Sequence, residues 1–304
     1  MNETAAEPMP ASLRFSGALC ALVLAGLVLL AYINRVMVIP PTNKDAALAP
    51  RLARERGDVR ELKLTADDGS PLYGWLLGRD DAPVKVIQCM GNAEYIGPAA
   101  QSYADTAAEL DAQFLLFDYR SFANSPGTPS ERGFYSDARG AYAHAIKALR
   151  WRPSQVVVWG RSLGGGVATH LTDELLKPER RESLAAGGPP RALVLEAAFT
   201  SIPDMAEVAL PKLPLGGWMA YSLFDNAARA PRLALPVFHF HGDQDEIVPF
   251  EHGRRLHRML PGPAKFLPLP GAGHLNVWSD AGRAAQIRRE LREFLAANPE
   301  RNSR

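Results

Sequence analysis

The sequence predicts an α/β fold in which a mostly parallel sheet is covered by helices on both faces. Short apolar, β-branched runs alternate with helical segments from residue 84 onward, a pattern typical of parallel strands joined by crossover helices. The chain has 304 residues, 47% of them apolar, which suffices for one large domain with a full core. A glycine-flanked serine between one such strand and its following helix indicates a functional site as well.

The first predicted elements are two strands that form a hairpin at the edge of the sheet. Residues 59–64 alternate between apolar and polar, residues 67–70 form a turn, and residues 72–77 return. Further strands are predicted at residues 84–89, 114–117, 156–159, 236–241 and 265–270, with a helix at 130–149. Residues 177–191 are charged and then rich in glycine and proline, so a surface loop is expected there.

The most informative stretch is Gly-Arg-Ser-Leu-Gly at residues 160–164. It follows the apolar strand 156–159 and precedes a predicted helix. A sharp turn between strand and helix strains the backbone at Ser162 and holds its hydroxyl clear of the sheet, while the flanking glycines avoid collisions. Ser162 is therefore predicted to be a nucleophile.

A serine nucleophile needs a base to take its proton and a carboxylate to orient that base. Two downstream strands each end in a suitable loop: Asp245 follows strand 236–241, and His274 follows strand 265–270. Catalytic groups of open α/β sheets gather at the carboxyl ends of the strands. We therefore predict Asp245 as the orienting acid and His274 as the general base.

Other acidic residues and histidines compete with these two assignments. Asp243 and Glu246 lie within two positions of Asp245 and are equally acidic. His239 and His241 alternate on one predicted strand, so they share a face and are expected to be packed. The other four histidines fall in predicted helices and are expected at the surface: His144, His170, His252 and His257.

Serine-dependent acyl transfer also needs an oxyanion hole of backbone N–H groups, each of which lowers the barrier by roughly 3 kcal/mol. Leu163, directly after the nucleophile, is expected to supply one donor. The second is expected from the loop after strand 84–89, where Asn92 is the first choice and Ala93 the alternative. An ordinary strand-to-helix turn without a ligand is the other interpretation of this loop.

With these residues the chain resembles the α/β-hydrolase superfamily. Within it, the chain is similar to the branch of membrane-associated α/β-hydrolase-domain proteins and bacterial serine-aminopeptidase-like hydrolases. The resemblance covers roughly residues 59–296 and rests, besides the serine motif, on the stretches 117–120, 125–127, 195–201 and 241–249. It implies an α/β-hydrolase fold, with the family's acid at Asp245 and the family's histidine at His274.

Two segments depart from the pattern of that family. The family's His-Gly-Asn at the oxyanion loop has Met90 in place of the histidine. A backbone donor survives this change, but a side chain able to hold the loop by hydrogen bonds is lost. Residues 121–124 stand where the family often has glycines, in a loop that lies beside its active site.

Composition argues against several other classes of protein. The formal net charge is +1, and no Lys/Arg run is interleaved with aromatic residues, which gives no case for nucleic-acid binding. No Cys/His cluster has zinc spacing and no phosphate-binding glycine loop occurs, so no metal or cofactor is implied. The two cysteines, Cys20 and Cys89, provide no disulfide framework.

An apolar run of 17 residues occupies positions 17–33. As a helix it is about 25 Å long, the short end for a membrane span, and residues 36–39 can lengthen it. No small-residue cleavage pair follows it, which favours an uncleaved anchor over a cleaved signal peptide. More basic residues follow the run than precede it, which slightly favours a cytoplasmic catalytic domain.

The predicted organisation runs from an anchor to a catalytic domain. Its parts are an N-terminal tail (1–16), a transmembrane anchor (17–39), a tether (40–58), the hydrolase domain (59–298) and a C-terminal tail (299–304). Residues 203–230 are apolar but broken by prolines and a glycine pair. We predict that they form a small cap over Ser162 that suits an acyl chain, with packing onto the domain as the alternative.

The sequence thus predicts a membrane-anchored serine hydrolase that cleaves carboxylic esters or thioesters through an acyl-enzyme intermediate. A serine peptidase on the same residues is one alternative, and a non-catalytic binding protein on an inactive hydrolase fold is the other. The expected partners are a small-molecule or acyl substrate and the membrane. The sequence does not fix the oligomeric state.

Overall fold

An eight-stranded sheet forms the centre of the fold. The computed structural model describes residues 57–184, 188–209 and 224–300, together with positions 23–26, 28, 51, 53 and 55. The strands are β1 (Val59–Thr65), β2 (Pro71–Leu77), β3 (Val84–Cys89), β4 (Ala112–Phe117), β5 (Val156–Arg161), β6 (Ala192–Glu196), β7 (Val237–Gly242) and β8 (Ala264–Leu269). Their order is β1-β2-β4-β3-β5-β6-β7-β8. Strands β1 and β2 form an antiparallel hairpin, β2 runs antiparallel to β4, and all other neighbours are parallel.

The helices lie in the connections between these strands, except the last one, which follows β8. They are α1 (Ile96–Leu110), α2 (Glu131–Lys147), α3 (Leu163–Leu175), α4 (Pro178–Ser183), α5 (Ile202–Ala209), α6 (Asn226–Arg229), α7 (Phe250–Arg258) and α8 (Ala281–Ala297). Ser130 begins α2, where its hydroxyl accepts the N–H of Gly133 at 3.1 Å. Asp280 begins α8 in the same way, through the N–H of Arg283 at 2.7 Å. Both are side-chain caps of the kind that stabilise a helix start by about 1 kcal/mol.

The path of the chain explains why helices cover both faces. From β3 the chain crosses through α1 to β4, and from β4 it returns through α2 to β5 on the other side of β3. Because parallel crossovers are right-handed, these opposite directions put α1 and α2 on opposite faces. All residues of β3 and β4 are buried as a result. The predicted α/β fold with a mostly parallel sheet and an edge hairpin is confirmed.

The reversal of direction also determines where a site can form. The connections that leave β3 and β5 diverge to opposite faces, which opens a crevice at the carboxyl ends of these two adjacent strands. The loop 90–95 follows β3, and Ser162 follows β5. The predicted nucleophile and the predicted oxyanion loop therefore border the same crevice.

Two local expectations were wrong. The predicted loop at 177–191 contains the helix α4, which has a proline and Glu179 in its first turn, both favourable at a helix start. His252 is buried rather than at the surface, because it lies against the loop after β6, with its Nδ1 2.8 Å from Thr200 Oγ1. His170 is partly covered because it stacks on the ring of Tyr135.

Across the part of the chain that the structure describes, no helix has the length and apolar character needed to cross a membrane. The predicted anchor at 17–39 lies largely outside that part, since only positions 23–26 and 28 of it are described. The tail 1–16 and residues 210–223 of the predicted cap also lie outside it. These assignments stay predictions.

Candidate active site

Ser162 lies in a sharp turn between β5 and α3 with φ 51° and ψ −118°. A positive φ is costly for any residue with a Cβ, and such strain persists only where neighbouring contacts enforce it. Here the Ser162 N–H donates to the carbonyl of Glu196 at 2.8 Å, and the Ser162 carbonyl accepts the Gly165 N–H at 2.9 Å. The strained turn expected from the sequence is present.

The glycines on either side of Ser162 are required by close backbone packing. A Cβ at Gly164 would lie 2.1 Å from the carbonyl oxygen of Cys89, and one at Gly160 would lie 2.3 Å from that of Gly164. The atoms met are backbone atoms, which cannot rotate away as a side chain could. Helix α3 can therefore begin this close to β3 only with glycine at both positions.

The structure brings the three predicted side chains together. His274 Nε2 lies 3.0 Å from Ser162 Oγ, and His274 Nδ1 lies 2.8 Å from Asp245 Oδ2. Because an ionised carboxylate only accepts hydrogen bonds, Nδ1 carries the proton of the neutral ring and Nε2 is left to accept the serine proton. This arrangement can activate a serine hydroxyl for attack on an acyl carbon. The catalytic roles of the three residues stay predictions.

Asp245 is held as a charged acceptor. Its Oδ1 accepts the backbone N–H groups of Ile247 at 2.9 Å and Val248 at 2.7 Å. Burial would raise the pKa of Asp245, but hydrogen bonds from His241 and His274 outweigh that effect and hold the pKa well below its usual value. The carboxylate therefore stays ionised near neutral pH, as an acid that orients an imidazole must.

The two alternative acids have different contacts. Asp243 Oδ1 accepts the backbone N–H of Gly271 at 2.7 Å. Glu246 Oε2 accepts the backbone N–H of His274 at 3.2 Å, so it holds the main chain of this residue rather than its ring. The geometry favours Asp245 as the partner of the imidazole.

The predicted oxyanion donors lie on adjacent segments. Leu163 is the first residue of α3, so its backbone N–H has no acceptor within the helix. A Cβ at Gly164 would lie 2.4 Å from the carbonyl of Met90, which places the loop after β3 directly beside this helix start. Asn92 and Ala93, the latter with φ 60°, belong to that loop. The donor roles of Leu163 and Asn92 stay predictions.

Four polar residues around the site were assigned no functional role from the sequence: Glu94, Arg161, Glu196 and His241. Arg161 contacts Glu94 and Glu196, and His241 contacts Asp245. The signals in the sequence were positional: Arg161 lies inside the serine motif and Glu94 at the end of the predicted oxyanion loop, while Glu196 and His241 lie in stretches that carry the family resemblance. The sequence placed these residues near one edge of the sheet but did not indicate which of their side chains contact one another.

The Asp-Tyr-Arg stretch at 118–120 supports the loops around the site. Asp118 Oδ1 accepts the Ile96 N–H at the start of α1, at 2.9 Å. The guanidinium of Arg120 forms ion pairs with Asp137 and Asp68. Burial raises the pKa of Asp118 to about 7, against the opposite effect of the backbone N–H groups of Ile96 and Asn124.

No cluster of three or more His, Cys, Asp or Glu side chains that could hold a metal ion occurs in the described ranges. The polar groups at the carboxyl ends of β5, β7 and β8 contact one another instead.

Comparison with known proteins gives consistent matches. A family model described as serine hydrolase (FSH1) matches residues 49–275, a range that includes Ser162, Asp245 and His274. An uncharacterized Mycobacterium tuberculosis protein is 31% identical over 71% of this chain and 72% of its own length. The lysophosphatidylserine lipase ABHD12 of Macaca fascicularis is 32% identical, over 62% of this chain and 49% of its own length.

Solved structures show the same fold. An α/β-hydrolase from Vibrio vulnificus aligns with a TM-score of 0.68 and 16% identity, over 97% of this chain and 99% of its own. The Pyrococcus furiosus esterase Pf2001 aligns with a TM-score of 0.61 and 15% identity, over 79% of this chain and 90% of its own. The family match covers more than half of the chain. The chain therefore belongs to the serine hydrolase (FSH1) family of the α/β-hydrolase superfamily.

Proposed function

We propose that this serine hydrolase cleaves carboxylic esters, including thioesters, through an acyl-enzyme intermediate on Ser162. The observation that carries the proposal is the continuous contact from Ser162 Oγ through the ring of His274 to Asp245, at 3.0 Å and 2.8 Å. The fully engaged carboxylate of Asp245 disfavours the alternative of a binding protein on an inactive fold.

The reaction follows from this geometry. His274 Nε2 takes the proton of Ser162 as Oγ attacks the acyl carbon, and Asp245 stabilises the imidazolium that forms. The backbone N–H groups of Leu163 and Asn92 donate to the oxyanion of the tetrahedral intermediate. His274 then gives the proton to the leaving oxygen or sulfur. A water molecule, deprotonated by the same ring, attacks the acyl-enzyme and releases the carboxylic acid.

An apolar acyl group is the proposed substrate moiety. Two large apolar side chains are exposed beside the site: Leu275, next to His274, at 72%, and Ile247, close to Asp245, at 47%. Exposed apolar groups at the mouth of a polar site favour a ligand with an apolar part. A lipase among the relatives is consistent with this proposal.

We also propose that residues 203–230 form a small cap over Ser162. Its described ends are α5 and residues 224–230. Phe224 is fully buried and lies against α3, since a Cβ at Gly166 would come within 2.8 Å of its ring. At this residue the segment packs onto the domain.

Labelling and turnover test the proposal together. We expect an alkyl fluorophosphonate to label the wild-type chain but not Ser162→Ala. A panel of short and long acyl esters, thioesters and aminoacyl amides should then show that esters turn over fastest. Faster turnover of the amides would favour the peptidase alternative, and an unlabelled wild type would show that the chain is not a serine hydrolase of this mechanism.

We also propose that residues 17–39 anchor the chain in a membrane, with the catalytic domain on the cytoplasmic side. The apolar run and the basic residues after it support this proposal. A double substitution, Val23→Arg with Leu24→Arg, should move the full-length chain from the membrane pellet to the supernatant. Glu182→Arg, at an exposed position of the catalytic domain, should leave it in the pellet.

A further inference from the structure

Arg161 links the nucleophile turn to three other segments of the site. Its Nη1 forms an ion pair with Glu94 Oε1, its Nε donates to Glu196 Oε1 at 3.1 Å, and its Nη2 donates to the carbonyl of His274 at 3.0 Å. Only 13% of the Arg161 side chain is exposed. A planar guanidinium with several fixed donors suits such a branched junction, and a lysine ammonium does not.

Glu196 anchors this junction in the core. Its side chain is 1% exposed, and its carboxylate accepts hydrogen bonds from the indole N–H groups of Trp278 at 2.8 Å and Trp159 at 3.3 Å. The backbone carbonyl of Glu196 also holds the N–H of Ser162. On the side that faces the core, the Arg161 guanidinium is therefore held by the buried carboxylate of Glu196.

Glu94 connects the outer side of Arg161 to the loop after β3. Its Oε2 accepts the backbone N–H of Gly91 at 2.6 Å, and its own N–H donates to the Gly91 carbonyl at 3.2 Å. These two bonds close the turn that contains Asn92 and Ala93. The directions of the N–H groups in this turn therefore depend on where the Glu94 carboxylate is held.

We propose that Glu94 and Arg161 are positioning residues that fix the oxyanion loop relative to the nucleophile turn and the loop that carries His274. The inference rests on the proposed function, because it assigns the loop's N–H groups to the oxyanion of the acyl-transfer intermediate. A donor that is displaced or rotated stabilises the tetrahedral state less, while binding of the planar ester in the ground state changes little.

Substitutions at Glu94 carry the test, because removing the charge of Arg161 would leave Glu196 buried without its cation and destabilise the fold. We expect Glu94→Ala to lower kcat per fluorophosphonate-labelled site about 10- to 100-fold, less than the 10²–10³ typical of losing an oxyanion donor outright. KM should change less than about threefold. The affinity for an acyl trifluoromethyl ketone, which forms a tetrahedral adduct with the serine, should fall by the same factor as kcat.

Two conservative variants separate positioning from folding. Glu94→Gln keeps an oxygen for the Gly91 N–H but loses the ion pair, so its kcat should lie between that of the wild type and that of Glu94→Ala. Arg161→Lys keeps a cation beside Glu196, but the lysine ammonium cannot reach three acceptors at once. This variant should therefore also have a lower kcat and a nearly unchanged KM.

Glu109→Ala is the matched control. Glu109 forms an ion pair with Arg288 through a carboxylate that is 45% exposed, near the carboxyl end of α1 and so at the opposite edge of the sheet from the site. Its kcat and KM should equal those of the wild type.

The outcomes are separable. If Glu94→Ala keeps the wild-type kcat per labelled site, or raises KM at constant kcat, the inference is overturned while the proposed function stands. A loss explained entirely by a smaller labelled fraction and a lower melting temperature would also overturn it, because it would show a structural role only. A wild-type chain that fluorophosphonate does not label would overturn both.

Discussion

His241 Nε2 lies 3.2 Å from Asp245 Oδ2, the same carboxylate oxygen that His274 Nδ1 contacts at 2.8 Å. His241 Nε2 also lies 2.9 Å from the carbonyl of Val248. A carbonyl only accepts hydrogen bonds, so Nε2 carries the proton and His241 is a donor to both oxygens. The opposite ring nitrogen faces Gly253, where a Cβ would lie 2.3 Å from it. The fully buried ring of His241 therefore donates a hydrogen bond to the Asp245 carboxylate, which His274 contacts as well.

Replacing His241 with leucine should lower kcat/KM about tenfold, because a hydrogen bond to a charged group is lost. The carboxylate of Asp245 then has one donor fewer and becomes more basic, so it stabilises the protonated ring of His274 more strongly. The acid limb of the pH profile of kcat/KM should therefore move to higher pH. The measurement is the rate of ester hydrolysis from pH 5 to pH 9.

The matched variant is His241→Gln, whose amide N–H reaches toward Asp245 and should restore part of the activity and the wild-type pH profile. An unmoved acid limb in the leucine variant, together with a lower melting temperature, would show that His241 only fills space.

Replacing Asp245 with asparagine should lower kcat by a factor of about 10³–10⁴ at neutral pH. An amide N–H facing Nδ1 favours the tautomer with the proton on Nε2, and that tautomer cannot accept the proton of Ser162. Steady-state kinetics with a short acyl ester would measure the loss. Asp243→Asn is the control, since Asp243 contacts the Gly271 backbone, and it should stay within about threefold of the wild type. Equal losses in the two variants would contradict the assignment of the acid.

Replacing Gly164 with alanine should lower the free energy of unfolding by about 3 kcal/mol, the upper part of the usual range for overpacking. The reason is that the new Cβ would lie 2.1 Å from a backbone oxygen, at Cys89. Chemical denaturation measures the change. In Gly188→Ala, where nothing lies within 4 Å of the added Cβ, stability should stay within about 0.5 kcal/mol. Equal free energies of unfolding of the two variants would contradict the close packing of α3 on β3.

Ionisation of Asp118 should lower the free energy of unfolding as the pH rises. Its pKa is about 7 in the folded chain and about 4 in an unfolded one, so folding favours the protonated acid. The stability that this group contributes is fully present below about pH 4 and is lost as the pH rises to about 7. Each pKa unit corresponds to about 1.4 kcal/mol, so the loss is limited to roughly 4 kcal/mol.

The measurement compares wild type with Asp118→Asn, which cannot ionise but keeps an oxygen for the Ile96 N–H. The unfolding free energy of the wild type, relative to that of the variant, should decrease between pH 4 and pH 7. Parallel pH profiles of the two proteins would contradict the raised pKa.

Local sequence patterns were enough to predict the fold class, because hydrophobic periodicity and composition are properties of short segments. Continuous apolar strands alternating with helices indicated a sheet covered on both faces, and the glycines at 160 and 164 indicated the turn at Ser162. The loops that follow β7 and β8 were recognisable as carriers of Asp245 and His274, since the carboxyl ends of parallel strands share one edge.

Which polar side chains contact one another became apparent only in the folded chain. Three carboxylates lie within four residues at 243–246, and only the folded loop shows that Asp245 contacts the imidazole while Glu246 holds the His274 backbone. The contacts of Arg161 with Glu94, Glu196 and His274 join segments far apart in the chain. Hydrogen bonds of this kind tolerate changes of only a few tenths of an ångström in the distance between donor and acceptor. The packing of the whole sheet places the segments that carry these groups, and no local pattern encodes that placement.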